Sequence, residues 1–245
     1  MDISIVLLLS FIGGAATLLG GLAYAFIHIN KRLLQFVTIA TTGALLSVIM
    51  LGLLPISVRI GGAGYAALGF LLGGMLFMIS GSVFPHTYGA EKYEDKLYSL
   101  LKSNSLIVMG VIIFNIPAGL LMGAGFASSV GMGAGILLAV MLQNIARGIG
   151  ISLPLHDSTM GRARTAAIMV LAGVPAAAGA GLAFAVLAGA APVVLASGAA
   201  FSAGAMFFVC SDQLVAMLKT YNRPHELAAS LFFGVCIGVL LLAIA

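Results

Sequence analysis

Two segments of this 245-residue chain set polar side chains into otherwise apolar runs: Phe114-Asn115-Ile116-Pro117-Ala118-Gly119 and Gln143-Asn144-Ile145-Ala146-Arg147-Gly148. Both are amide-bearing hexads of one form. Wound into a helix, residues 114, 115 and 118 share a face, and so do 143, 144 and 147. A carboxamide offers two donors and an acceptor. Asn115, Gln143 and Asn144 therefore suit two tasks: hydrogen-bond glue between helices, or the polar lining of a solute pathway. Pro117 removes one backbone donor and frees a carbonyl, which in membrane is tolerated where protein or a cavity re-satisfies it. Paired interrupted helices at mid-membrane point to a transport site.

Arg147 is the residue that most needs an explanation. A charge inside a spanning helix costs at least about 2.5–3.5 kcal/mol on insertion scales, so it ordinarily faces the bundle interior and has a role. The alternative, snorkelling to the interface, would need the side chain to reach past roughly two turns toward Pro154 at about 1.5 Å per residue. The sequence therefore predicts a guanidinium that faces the interior, where Asn115 and Gln143 could offer it amide oxygens.

Other reactive residue types are sparse. His28, His86, His156 and His225 fall near the ends of apolar runs, where interfacial solvation is their ordinary state and metal capture at the inner mouth of a pathway the alternative. Cys210 and Cys236 lie in apolar runs, where thiols pack as small hydrophobes, and they form no metal-binding spacing. Hydroxyls such as Ser80 and Ser82 ordinarily bond the backbone of their own helix. No Ser/His/Asp set, carboxylate pair or His-Glu-x-x-His occurs within the apolar runs, so the sequence does not read as an enzyme.

The elements that must hold the hexads follow from composition. The chain is 62% hydrophobic and 7% charged, with a mean hydropathy of +1.19, whereas soluble domains carry roughly a quarter charged residues. Only helices and closed barrels satisfy the backbone in lipid, and the apolar segments here are long and continuous rather than short and alternating. The expected fold class is an all-α membrane protein, a single transmembrane domain over 1–245 with the lipid bilayer as its surroundings. A span needs about 20 apolar residues, and such segments run 4–27, 34–58, 64–85, 104–127, 132–155, 165–188, 191–218 and 227–245, which predicts eight transmembrane helices.

Charge sets the orientation. The net charge is +4 and the pI about 9.3, but the basic residues are dispersed in short loops and form no patch or stripe of the kind that binds nucleic acid. Nine of the 11 lie after the first, third, fifth and seventh spans, against Arg59 alone on the other side. The positive-inside rule then predicts both termini extracytoplasmic. Asp2 precedes the first apolar run and Lys31 and Arg32 follow it, the order of a spanning helix rather than a cleaved signal peptide. Glycines at small-xxx-small spacing, such as Gly69 with Gly73 and Gly119 with Gly123, predict close helix packing within the chain, a homodimer contact being the alternative.

Beyond these readings the chain resembles the ZIP (Zrt/Irt-like) divalent-metal transporters, particularly the compact bacterial members. That family carries His-Asn-x-Pro-Glu-Gly on its fourth helix and a related hexad on its fifth, and the two hexads here are similar in form. Gly69-Phe70-Leu71-Leu72-Gly73 running to Phe84-Pro85-His86 resembles the end of the family's third helix. Ser202-Ala203-Gly204-Ala205-Met206-Phe207-Phe208-Val209, followed by Ser211-Asp212-Gln213-Leu214, resembles its seventh. The resemblance covers essentially the whole chain. It implies a ZIP-like bundle with inverted repeats around two central helices, in a bacterial cytoplasmic (inner) membrane.

The departures fall on the chemistry. Where the family has a metal-binding His this chain has Phe114, and where it has the two hexad glutamates this chain has Ala118 and Arg147; span six reads Gly173-Val174-Pro175 where the family often has Glu before Pro. Neutral amides alone cannot offset the dehydration of a dication, so no binuclear metal site and no resident metal cofactor is expected. The resemblance implies a substrate pathway at Asn115, Gln143, Asn144 and Arg147, and inner-mouth contacts at His86, Asp212 and Gln213, solvation of Asp212 or its pairing with Lys219 being the alternative there. The implied function is metal-ion transport, zinc included, with a degenerate metal site. The solute is then a metal held differently, another cation, or a small anion or polar solute drawn to Arg147. The alternative is a non-transporting homologue serving as a structural or regulatory membrane subunit.

Overall fold

A computed structural model describes residues 1–26, 30–83, 104–156, 162–220 and 223–244, and no strand occurs among them. The helices are α1 (Ile3–Ala15), α2 (Thr17–Phe26), α3 (Lys31–Ser47), a π-helical turn over Val48–Leu53, α4 (Leu54–Gly61), α5 (Ala63–Val83), α6 (Asn104–Ser128), α7 (Val130–His156), α8 (Arg162–Leu171), α9 (Gly173–Leu187), α10 (Pro192–Thr220) and α11 (Pro224–Ile244). Continuous helical runs join several of these. Among the described residues 7 stretches are long and apolar enough to cross a membrane: Ile3–Tyr24, Arg32–Gly61, Ala63–Ser80, Val130–Ser152, Thr165–Leu187, Pro192–Leu218 and Pro224–Ile244. The chain is an all-α, multi-pass membrane protein.

Local chemistry sets the ends. The Asp2 carboxylate accepts from the Ser4 N–H at 3.3 Å to start α1, and the Asn30 side chain accepts from the Leu33 N–H at 2.8 Å to start α3, each satisfying a donor that a helix N-terminus leaves free. Gly62, at φ 87°, turns α4 into α5 through a single residue, a conformation other side chains resist. Ser80 Oγ bonds the Leu76 carbonyl of its own helix at 2.7 Å, as its sequence context implies.

The interruptions fall elsewhere than the hexads suggested. The first hexad's helix, α6, runs unbroken through Pro117, and α7 is continuous across the second. Breaks occur instead at Ala16, between α1 and α2, and at Ala172, between α8 and α9, with the π turn at Val48–Leu53 as a third irregularity. Two of these have prolines to explain them. Pro175 leaves the Leu171 carbonyl without its helical donor, and Pro55 does the same to Leu51. In the latter case the helix widens, the Leu54 N–H reaching back to the Ile49 carbonyl.

Helices pair along seams of glycine. α5 packs against α10, α11 against α3, α6 against α9, and the α1–α2 run against α7. A Cβ added at Gly69 or Gly73 would fall on the carbonyl oxygens of Ser197 or Phe201; one at Gly234 or Gly238 would fall on those of Ala40 or Ala44. Gly119 and Gly123 meet the Ala176 and Ala180 carbonyls in the same way, and Gly148 meets that of Thr17. Lipid gives helices no hydrophobic reason to associate, so backbone approach of this kind supplies the contact. Residue numbers rise together across the α5–α10, α11–α3 and α6–α9 seams, so the two helices of each pair run parallel.

Burial separates inner from outer helices. In Arg32–Gly61, 72% of the apolar stretch is buried within the protein, against 17% for both Ala63–Ser80 and Pro224–Ile244. The last two therefore form the outside of the bundle, with Leu71, Leu72 and Ile79 on one and Phe232, Phe233 and Leu240 on the other facing outward. The core is built of Leu45, Ile49, Leu53, Leu121, Met122, Ile136, Val140 and Met206.

Candidate functional site

Within that apolar core lies a cluster of polar groups, side chains from three helices and a backbone carbonyl from a fourth. α6 supplies Phe114 and Asn115, α7 supplies Gln143, Asn144 and Arg147, α10 supplies Cys210 and Gln213, and α1 supplies the Gly13 carbonyl. Asn115, Gln143, Asn144, Arg147 and Gln213 are all buried, none exposed by more than 2%.

The α1–α2 break helps to make the cluster. In an unbroken helix the Gly13 carbonyl would accept from the Thr17 N–H; with the helix interrupted at Ala16, it accepts from Asn144 Nδ2 at 2.9 Å. The same amide group reaches Asn115 Oδ1 at 3.4 Å, and Asn144 Oδ1 accepts from Arg147 Nη1 at 2.8 Å. A second pair lies alongside: Gln143 Nε2 donates to Gln213 Oε1 at 3.1 Å and approaches Cys210 Sγ at 3.7 Å. The hexad spacing thus brings Asn115, Gln143, Asn144 and Arg147 to one place.

Arg147 does not snorkel. Its side chain is buried, its Cζ lies 4.8 Å from the centroid of the Phe114 ring, and its Nε and Nη2 have no hydrogen-bond partner. The ring that stands at the head of the first hexad thus meets the cation of the second, an attraction between guanidinium and π face that strengthens as water is removed.

Three expectations need adjustment. The acceptor for Arg147 is Asn144, not Asn115 or Gln143, because Asn115 Oδ1 is directed to Asn144 and Gln143 turns toward α10. Gln213 belongs to the buried centre through its bond to Gln143 rather than to the inner mouth. The interrupted helix that contributes to the centre is α1–α2, through the Gly13 carbonyl, whereas α6 and α7 are continuous across their hexads. Asp212, next to Gln213, is half-buried. His28 and His86 lie outside the described residues, as does the side chain of His156, and His225 is exposed at the start of α11. Sequence reasoning missed Gly13, Cys210 and the Phe114 ring as parts of the site; only the Gly13-Gly14 pair hinted at a weak point in the first helix.

The cluster is one full positive charge among neutral dipoles. Among the described residues no three His, Cys, Asp or Glu side chains gather as metal ligands would. A fixed guanidinium repels a cation by about 4 kcal/mol per unit charge at about 4 Å, taking an effective dielectric of about 20. What the arrangement can do is hold an acceptor: it presents two charged donors in a desolvated setting, with amides to orient them.

Comparison with known proteins fits this architecture. No protein-family model matches the chain. It is 28% identical over 249 aligned residues to the zinc transporter ZupT of Escherichia coli O7:K1, covering 96% of this chain and 94% of that one. It is 27% identical over 177 residues to the zinc transporter GufA of Myxococcus xanthus, covering 71% of this chain and 69% of that one. The paired hexads lie on adjacent helices in the centre of a multi-pass bundle, and the similarity to a zinc transporter runs through nearly the full length of both this chain and ZupT.

Proposed function

We propose that this protein is an integral membrane transporter of ZIP type, not an enzyme, in which the centre of the solute pathway is organised by the fixed cation of Arg147 rather than by a bound divalent metal. Its relatives ZupT and GufA carry the name zinc transporter, and zinc or another metal is the starting candidate for the solute. The observation that carries the altered centre is Arg147 itself: it is buried, held by one amide and a ring, and stands where the family's hexad has a metal-binding glutamate.

The 25-residue helix Asn104–Ser128, added to the 7 apolar stretches, supports eight spans. The pairing supports inverted repeats. Exchanging the first three spans with the last three maps the α5–α10 seam onto the α11–α3 seam, and the outer α5 onto the outer α11. Such repeats flank a midplane site in many carriers. With the charge asymmetry of the loops, the chain sits in a bacterial inner membrane with both termini extracytoplasmic.

Reconstitution into proteoliposomes tests the reading. Uptake is screened across Zn²⁺, other divalent metals and small anions; transport of at least one solute, reduced by Asn144→Ala, is the expected result. The non-transporting reading is favoured by one observation, the closure of the amides from solvent, a state that a carrier also visits between its two open forms. Folded protein that moves none of the screened solutes would decide for that reading.

A further inference from the structure

The chain contains two arginines in telling contrast. Arg32 uses Nε and Nη2, the side-on edge of its guanidinium, to grip both carboxylate oxygens of Glu226, at 3.0 and 2.5 Å, on the exposed rim between α3 and α11. At Arg147 the same two atoms, Nε and Nη2, are buried and have no partner, while the remaining nitrogen Nη1 is tied to Asn144 and the face is covered by Phe114. The edge left free is thus the one suited to bidentate recognition of a planar oxyanion.

We propose that this edge is a binding site for a small, planar, monovalent oxyanion of the carboxylate or nitrate type, which is the solute or co-solute of the central pathway; the proposal rests on the transporter reading only for its second half. Buried charged donors are costly to leave unpaired, and no carboxylate of the described residues pairs with Arg147. The Nη1 bond to Asn144 and the Phe114 ring fix the guanidinium plane and rotation, so the edge is oriented before a ligand arrives. Asn144 is fixed in turn by Gly13 and Asn115. A dication is repelled by the same charge, so the site selects by sign first and by planarity second.

The test uses full-length protein in detergent, with sodium formate replacing sodium chloride at constant total anion. A saturable rise in unfolding temperature with formate, and a calorimetric Kd for formate at least tenfold weaker in Arg147→Gln, are expected. Arg147→Lys keeps the charge but not the forked edge, and should lose the preference for formate over chloride. Should Arg147→Gln not fold, Arg147→Lys carries the comparison alone. No saturable effect in the wild type, or an equal effect in the variants, overturns the site. Labelled formate uptake into proteoliposomes separates the two readings. Arg147-dependent binding without flux keeps the anion site and rejects transport of the anion, whereas metal flux without Arg147-dependent formate binding keeps the transporter and overturns the anion site.

Discussion

Arg147 is a group whose stability cost and functional value should separate. Two of its charged donors are buried without partners, and unsatisfied groups of that kind cost about 1–3 kcal/mol or more each. Replacing the side chain with an apolar one of similar length removes that cost but leaves Asn144 Oδ1 without its donor. In buffer free of small oxyanions, Arg147→Met should therefore stabilise the detergent-solubilised protein by about 1–3 kcal/mol, read as a raised unfolding temperature, while abolishing uptake of an anionic solute. A variant less stable than wild type would show that the guanidinium is a structural tie. The hexads were legible because helical spacing fixes which residues share a face. Which neighbour each faces was not legible: nothing in the spacing directs Gln143 to Gln213 on α10 or Asn144 to the Gly13 carbonyl. That depends on how helices far apart in sequence rotate against each other.

At the scale of the helices, glycine seams make a prediction with an internal control. A methyl group at Gly73 would fall on the Phe201 carbonyl, whereas at Gly64 it would meet nothing within 4 Å. Gly73→Ala should destabilise by about 1–3 kcal/mol, the usual cost of overpacking, and Gly64→Ala should be neutral or slightly stabilising, since alanine is the better helix former. Equal unfolding temperatures for the two variants would contradict the packing of α5 on α10. The Gln143–Gln213 bond bridges α7 to α10, and a double-mutant cycle with leucine at both positions should return about 0.6 kcal/mol of coupling, the average for side-chain bonds between membrane helices. Helix positions followed from hydropathy, because a span must be continuously apolar. The break at Ala16 did not, because it adds no polar residue to the run; the Ala172 break and the π turn are marked by Pro175 and Pro55, whose effect on the backbone hydropathy does not register.

The whole molecule should cross the membrane an even number of times, with the basic loops inside. Nine of the 11 lysines and arginines follow odd-numbered spans, so a reporter fused after Ala245 should behave as exported, and a cytoplasmic readout would contradict both the eight spans and the orientation. Helix class and membrane residence could be read from composition alone, and the likeness to ZupT extends over 96% of the chain. The resemblance to the family's hexads breaks at Phe114, Ala118 and Arg147, and the proposal that a fixed cation organises the centre rests on that break and on the buried guanidinium.

Zinc titration of the purified protein shows whether that cation has displaced the metal. Wild-type protein should have no zinc site that Asn115→Ala or Gln143→Ala weakens, and Phe114→His, Ala118→Glu and Arg147→Glu made together should raise zinc affinity at least tenfold by supplying imidazole and carboxylates in place of the cation. Zinc bound by the wild type between Asn115 and Gln143, with an affinity that the triple variant does not improve, would contradict that displacement.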